Sequence, residues 1–181
     1  DPSGRLATIG ATAPGGAALT SYAYRYQQGT ADTALVQAVT DTVNGRTVAN
    51  TYDVLNRLTE WKVTPTGGSG ATPHDYLYQY DGVGNRTSIS ADGIVSTLGY
   101  NAANEWTTDV AGGKTATYTW DAAGEELGND GFGDPSKTLV ITYNAQHQTT
   151  SVTDTQQHVI PMTYTGAGQA ERVTAGWVAS N

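Results

Sequence analysis

The chain has 181 residues and a mass of 18.9 kDa, enough for one ordinary domain and too little for several. A net charge of −8 and a pI near 4.6 repel phosphate backbones and anionic membrane surfaces, so nucleic-acid binding is disfavoured. No apolar run approaches the roughly 20 residues that span a bilayer, and the absence of cysteine excludes disulfides and thiolate metal sites. The 29 Thr, 11 Tyr and 4 Trp favour a pleated, half-buried strand surface, while helix formers are scarce at 3 Lys, 5 Glu and 1 Met. The composition predicts an all-β fold, and its Thr, Gly, Ala and Tyr content suits a secreted bacterial protein.

In chain order, a short motif recurs between hairpin signals. Asp1-Pro2-Ser3-Gly4-Arg5 carries it without an aromatic in front, and residues 11–18, rich in Ala, Gly and Pro, form a loop. A degenerate copy lies around Tyr26, and residues 32–40 read as a strand rather than a short helix because hairpins surround them. Full copies begin at Tyr52-Asp53, Tyr80-Asp81, Tyr100-Asn101, Trp120-Asp121, Tyr143-Asn144 and Tyr164-Thr165, spaced by 28, 20, 20, 23 and 21 residues. Between them Asn44-Gly45, Asp92-Gly93 and Gly112-Gly113 are two-residue hairpin signals. Residues 64–73 and 128–136 read as loop insertions. Residues 1–181 thus form a single array of seven to eight repeats, each with two strands and two turns: an antiparallel β-hairpin meander.

The motif has a physical logic. With the aromatic at position zero, position one is Asp, Asn or Thr, whose side-chain oxygen accepts from the backbone two residues on. Position four reads Gly4, Asn56, Gly84, Asn104, Gly124, His147 and Gly168, mostly residue types that tolerate positive φ. Position five is polar throughout: Arg5, Arg57, Asn85, Glu105, Glu125, Gln148 and Gln169. Position nine is apolar in Ile9, Trp61, Ile89, Val152 and Val173 but polar in Asp109 and Asn129. The position-zero residues Tyr52, Tyr80, Tyr100, Trp120, Tyr143 and Tyr164 are expected to stack as a ladder on one sheet face.

Tyr80-Asp81-Gly82-Val83-Gly84-Asn85-Arg86-Thr87-Ser88 and Tyr52-Asp53-Val54-Leu55-Asn56-Arg57-Leu58-Thr59 resemble YD repeats, the units of Rhs proteins, teneurins and the cocoon components of bacterial Tc toxins. Later copies drift, with Glu105, Glu125, Gln148 and Gln169 at position five. The resemblance implies a curved or spiralling sheet, part of a hollow β-shell on a large secreted or cell-surface protein. In that family the shell encloses a toxic segment or serves adhesion. Partners would then be neighbouring repeats of the same or adjacent chains, together with an enclosed toxin segment or a surface glycan. No match to the family's Asp-containing self-cleavage segment is found. Uncapped ends predict a fragment of a longer chain or a protomer covered by neighbours, associating end to end through exposed edges.

Candidate chemistry is sparse. His74-Asp75 offers two parts of a nucleophilic triad, without Ser or Cys in a nucleophile setting. Gly82-x-Gly84 and Gly166-x-Gly168 belong to the repeat turn and open no helix, so they are not phosphate loops. Gly128-Asn129-Asp130-Gly131-Phe132-Gly133-Asp134 resembles a single calcium-binding nonapeptide, with Asp130 and Asp134 as its candidate ligands. Calcium takes six to eight oxygens, and an acidic surface loop is the preferred reading. No cofactor and no catalytic residue is expected. Trp61, Trp106 and Trp177 fall outside position zero and are the candidates for an exposed face that binds sugar rings or an apolar partner.

Overall fold

The computed structural model describes residues 1–67, 72–165 and 171–175. Within them the protein is an antiparallel all-β meander whose only helical element is a three-residue 3-10 turn, Pro135–Lys137. The chain divides into two compact units, Asp1–Val95 and Ser96–Asn181. The first holds β1 (Thr8–Thr12), β2 (Ala18–Arg25), β3 (Gln27–Gln28), β4 (Ala31–Asp32), β5 (Ala38–Asp41), β6 (Arg46–Tyr52), β7 (Leu58–Pro65), β8 (His74–Tyr80) and β9 (Arg86–Ala91). Here β1, β2 and β5 to β9 pair in chain order, while β3 and β4 form a separate ribbon. At the unit boundary begins β10 (Ile94–Tyr100), followed by β11 (Trp106–Ala111), β12 (Lys114–Trp120), β13 (Glu126–Asn129), β14 (Leu139–Tyr143), β15 (Thr149–Asp154), β16 (Val159–Thr165) and β17 (Glu171–Ala175), again paired consecutively.

Little apolar surface is fully buried. Among the described residues the buried hydrophobics are Tyr26, Ala38, Val63, Leu98 and Ala116. Most strand side chains are half-buried against cross-strand neighbours. Cohesion therefore rests on ladder hydrogen bonds, on cross-strand pairs of roughly 0.2–1 kcal/mol each, and on the turns.

The hairpin dipeptides behave in two ways. Asp92 and Gly93 (φ 51° and 86°) and Gly112 and Gly113 (φ 57° and 75°) are two-residue turns with both centres at positive φ, matching the strand twist. Asn44-Gly45 instead lies in a four-residue loop closed by the pair Asp41 and Arg46. The cause is Asp41, 2% exposed, whose carboxylate accepts from the Asn44 backbone and side chain and from Arg46 Nε. The loops are also shorter than the sequence suggests. β1 continues to Thr12, β7 to Pro65 and β13 to Asn129, because Gly128 and Asn129 are held in register by Val140 and Leu139 despite poor strand propensity.

Candidate functional site

The recurring turn is one hydrogen-bonded module. The backbone N–H of position four donates to the carbonyl of position one at 3.0–3.3 Å in the copies opened by Asp1, Asp53, Asp81, Asn101, Asp121 and Asn144. In the five copies from Asp53 on, the position-one N–H donates to the position-five carbonyl at 2.9–3.0 Å. Position-one Oδ1 accepts from the N–H groups of positions three and five, as Asp53 does from Leu55 and Arg57 at 2.9 Å each. Position four sits at positive φ: Gly4 75°, Asn56 61°, Gly84 103°, Asn104 62°, Gly124 82° and His147 61°. Gly168 and Trp177 lie outside the described residues. Since a Cβ on Gly84 would meet nothing within 4 Å, Gly84→Val tests backbone strain alone. A loss of about 2 kcal/mol in urea melts is expected.

Position five completes the module through a donor–acceptor code. Where position one is Asp, its Oδ2 takes a donor: Arg5, Arg57 Nε at 2.7 Å, and Asn85 Nδ2 at 2.9 Å. Where position one is Asn, the polarity reverses. Asn101 Nδ2 donates to Glu105 Oε2 at 2.5 Å, and Asn144 Nδ2 to Gln148 Oε1 at 2.7 Å. The departures at Glu105 and Gln148 are thus compensated within the same turn. Asp121 faces Glu125, two acids, and there His147 of the next copy reaches back with Nδ1 3.0 Å from Glu125 Oε1. A further copy, absent from the sequence analysis, runs from Asp154 to His158, with Gln157 at φ 63° and His158 Nδ1 2.8 Å from Asp154 Oδ2. Thr153 stands where the aromatic would, so only Asp154 and His158 signalled it.

The aromatics join one repeat to the one before it. Tyr80 Oη donates to the carbonyl of Leu58 at 2.7 Å, Trp120 Nε1 to Trp106 at 2.7 Å, Tyr143 Oη to Glu126 at 2.8 Å and Tyr164 Oη to Thr149 at 2.8 Å. The acceptor in these four is position six of the preceding aromatic-led turn each time. Tyr26 does the same to Leu6 at 3.0 Å, which identifies the degenerate copy, and Tyr52 bonds to Val36 at 2.9 Å. Arginines strengthen the joint: Arg57 lies 4.6 Å over the Tyr80 ring and its Nη1 donates to the Asp81 carbonyl, while Arg5 lies 4.2 Å over Tyr26. Equivalent positions are two strands, about 10 Å, apart, too far for rings to stack. The expected stacked ladder is therefore replaced by a series of hydrogen-bonded clamps.

A bulge accompanies each full copy of the motif. The register shifts immediately before Tyr52, Tyr80, Tyr100, Trp120, Tyr143 and Tyr164. In the first five of these the extra residue is position seven, which is Thr at Thr59, Thr87, Thr107 and Thr150, a regularity that could have flagged it; before Tyr164 the extra residue is Val173, position nine. Bulges steepen local twist and aim the preceding side chain.

Elsewhere the candidates are engaged differently. His74 Nδ1 is 2.8 Å from Asp92 Oδ2, and Asp75 pairs with Lys62 at 2.7 Å, so the two residues look to different partners. Asp130 accepts from the Thr117 backbone and hydroxyl, and Asp134 from the Ser136 backbone and hydroxyl. N–H and O–H donors point at both carboxylates, the opposite of an oxygen-ligand shell. Trp106 stacks on Tyr118 at 4.5 Å, and its Nε1 donates to Thr108. Trp61 meets Tyr76 edge-on at 5.4 Å. Among the described residues no helix is long and apolar enough to cross a membrane.

The turn carboxylates are held below the ordinary aspartate range. For Asp53 the chief cause is the Arg57 N–H, and for Asp121 the Glu125 N–H. For Asp154 it is the His158 side chain. At Asp81 burial pushes upward but bonds from Asn85, Gly84 and Val83 outweigh it. A folded-state pKa below the unfolded value means stability that is complete above about pH 4 and is lost as pH falls through the folded values. Thermal melts should be level near neutrality and drop below about pH 4, less steeply in Asp81→Asn; a melting point that holds down to strong acid would contradict this.

No protein-family model matches the chain, and no curated protein matches it by sequence. Among solved structures it resembles a chain of the crystal structure of TcdB2-TccC3-Cdc42, with 13% identity over 94% of this chain and a TM-score of 0.54. It also resembles a chain of the Photorhabdus luminescens Tc holotoxin pore bearing a TccC3 mutation, with 14% identity over 91% and a TM-score of 0.41. It spans 11% and 13% of those chains. The first likeness shows that the same meander of hairpins occurs within a much longer polypeptide.

Proposed function

We propose that this chain is a non-enzymatic stretch of a YD-type repeat array, building the wall of a β-shell in a large secreted or cell-surface bacterial protein. The observation that carries this reading is the recurring clamp from Tyr26, Tyr80, Trp120, Tyr143 and Tyr164 to position six of an earlier turn. A clamp that fastens one unit to its neighbour serves extension, because the same joint can be repeated along the chain. The fold likeness to a TcdB2-TccC3 chain supports the same reading. The partners would be adjacent repeats and a polypeptide segment enclosed by the wall.

Electron microscopy of the complete polypeptide that carries this stretch tests it. A hollow particle with residues 1–181 in its wall is the expected result, and a solid domain or an open rod would overturn the shell. A hydrolase screen addresses the chemistry. Any turnover that disappears in His74→Ala would overturn the non-enzymatic assignment.

A further inference from the structure

One face of the first unit carries a groove of about 440 Å³ lined by Leu58, Trp61, His74, Tyr76 and Tyr78. The ladder puts these residues together: Trp61 pairs with Tyr76 across β7 and β8, Val63 with His74, and Tyr78 with Ile89 across β8 and β9. Trp61 and Tyr76 meet edge to face, at 71° between ring planes, so they are not stacked face on face like the near-parallel Trp106 and Tyr118 at 23°. The lining residues are half-buried.

The polar equipment narrows the occupant. His74 is fixed by Nδ1 against Asp92 Oδ2 at 2.8 Å, and Asp92 also accepts from the Asp75 N–H at 2.7 Å. With Nδ1 engaged by the carboxylate, Nε2 is the ring's remaining polar atom, and tyrosine hydroxyls both donate and accept. An apolar layer laid over this groove would strand those groups without partners. The nearby charges are of both signs: the Arg86 guanidinium lies 5.5 Å from the Tyr78 ring centre, and the Asp92 carboxylate holds His74. An added β-strand has no edge to join, because β7, β8 and β9 lie inside the ladder. A ligand with an apolar face and a rim of hydroxyls meets every condition.

We infer that the groove formed by Trp61, Tyr76, Tyr78 and His74 binds the pyranose ring of a glycan. Trp61 supplies the stacking face, and His74 and the tyrosine hydroxyls take the sugar hydroxyls. The site is independent of the shell assignment, since a wall segment can carry a ligand on its face.

Isothermal titration of the whole chain with cellotetraose and with tetragalacturonate tests it, with oligolysine as the contrasting probe. Saturable binding of either sugar, weakened at least tenfold by Trp61→Ala and unchanged by Trp106→Phe, is expected. If Trp61→Ala does not fold, Tyr78→Ala and His74→Ala take its place and should each weaken binding several-fold. No saturable heat with either sugar, binding indifferent to these substitutions, or preferential binding of oligolysine would each overturn the assignment.

Discussion

Gly128→Ala should be among the most damaging single-methyl changes available in this protein. Gly128 sits in β13 at φ 151°, and a Cβ there would lie 2.1 Å from the Leu139 carbonyl oxygen and 3.1 Å from its carbon. Both atoms are backbone of the paired strand β14, so neither can swing aside as a flexible side chain would. The conformation itself is close to glycine-only, which adds about 1–3 kcal/mol to an overpacking cost of similar size. The sum, about 2–6 kcal/mol, is a large share of the roughly 5–15 kcal/mol that holds a typical domain together. Gly84→Ala is the control, since Gly84 also has positive φ, 103°, but open space around it; about 1–2 kcal/mol is expected there. Urea melts of the two variants side by side check the prediction. Equal losses would mean that β13 and β14 are not packed as described.

The second large effect is expected at Tyr80. Its hydroxyl bonds to Leu58 at 2.7 Å and its ring lies beneath the Arg57 guanidinium. Tyr80→Phe keeps the ring and loses the hydroxyl, costing about 1 kcal/mol. Tyr80→Ala removes the half-buried ring as well and should cost about 3 kcal/mol. The damage should also stay local. Array stability is approximately a sum of unit and nearest-neighbour contributions, so hydrogen exchange should accelerate in β7 to β9 and hold steady in β14 and β15. Uniform acceleration along the chain would show a single cooperative core instead of clamped units.

Some errors of sequence reading have a common cause. Asp154-Thr155-Gln156-Gln157-His158 forms the same turn as the aromatic-led copies, yet its Gln157 takes positive φ without the residue types that advertise it. Asn44-Gly45 advertises a tight turn and does not form one, because Asp41 binds Asn44 and Arg46 across a wider loop. In both cases a carboxylate close in sequence outranks the propensity of the turn residues. The stacked ladder failed for a different reason. Period-two alternation locates the rings on the strands but carries no information about the distance between repeats. Two strand spacings, about 10 Å, separate equivalent rings and leave hydrogen bonds to the preceding turn as their contact. The groove at Trp61 was signalled only as a tryptophan out of phase; that Tyr76 and His74 border it follows from the β7–β8 register.

The sequence by itself determined the class of fold, the strand-and-turn period and the turn chemistry. Those depend on interactions within about five residues: a side-chain oxygen at position one, a positive φ at position four and a polar group at position five. Only the tertiary structure decided what the aromatics hold, where the bulges fall, how His147 compensates the two acids Asp121 and Glu125, and which rings border a groove. These are contacts between strands some twenty residues apart, fixed by register, and register is a property of the assembled sheet.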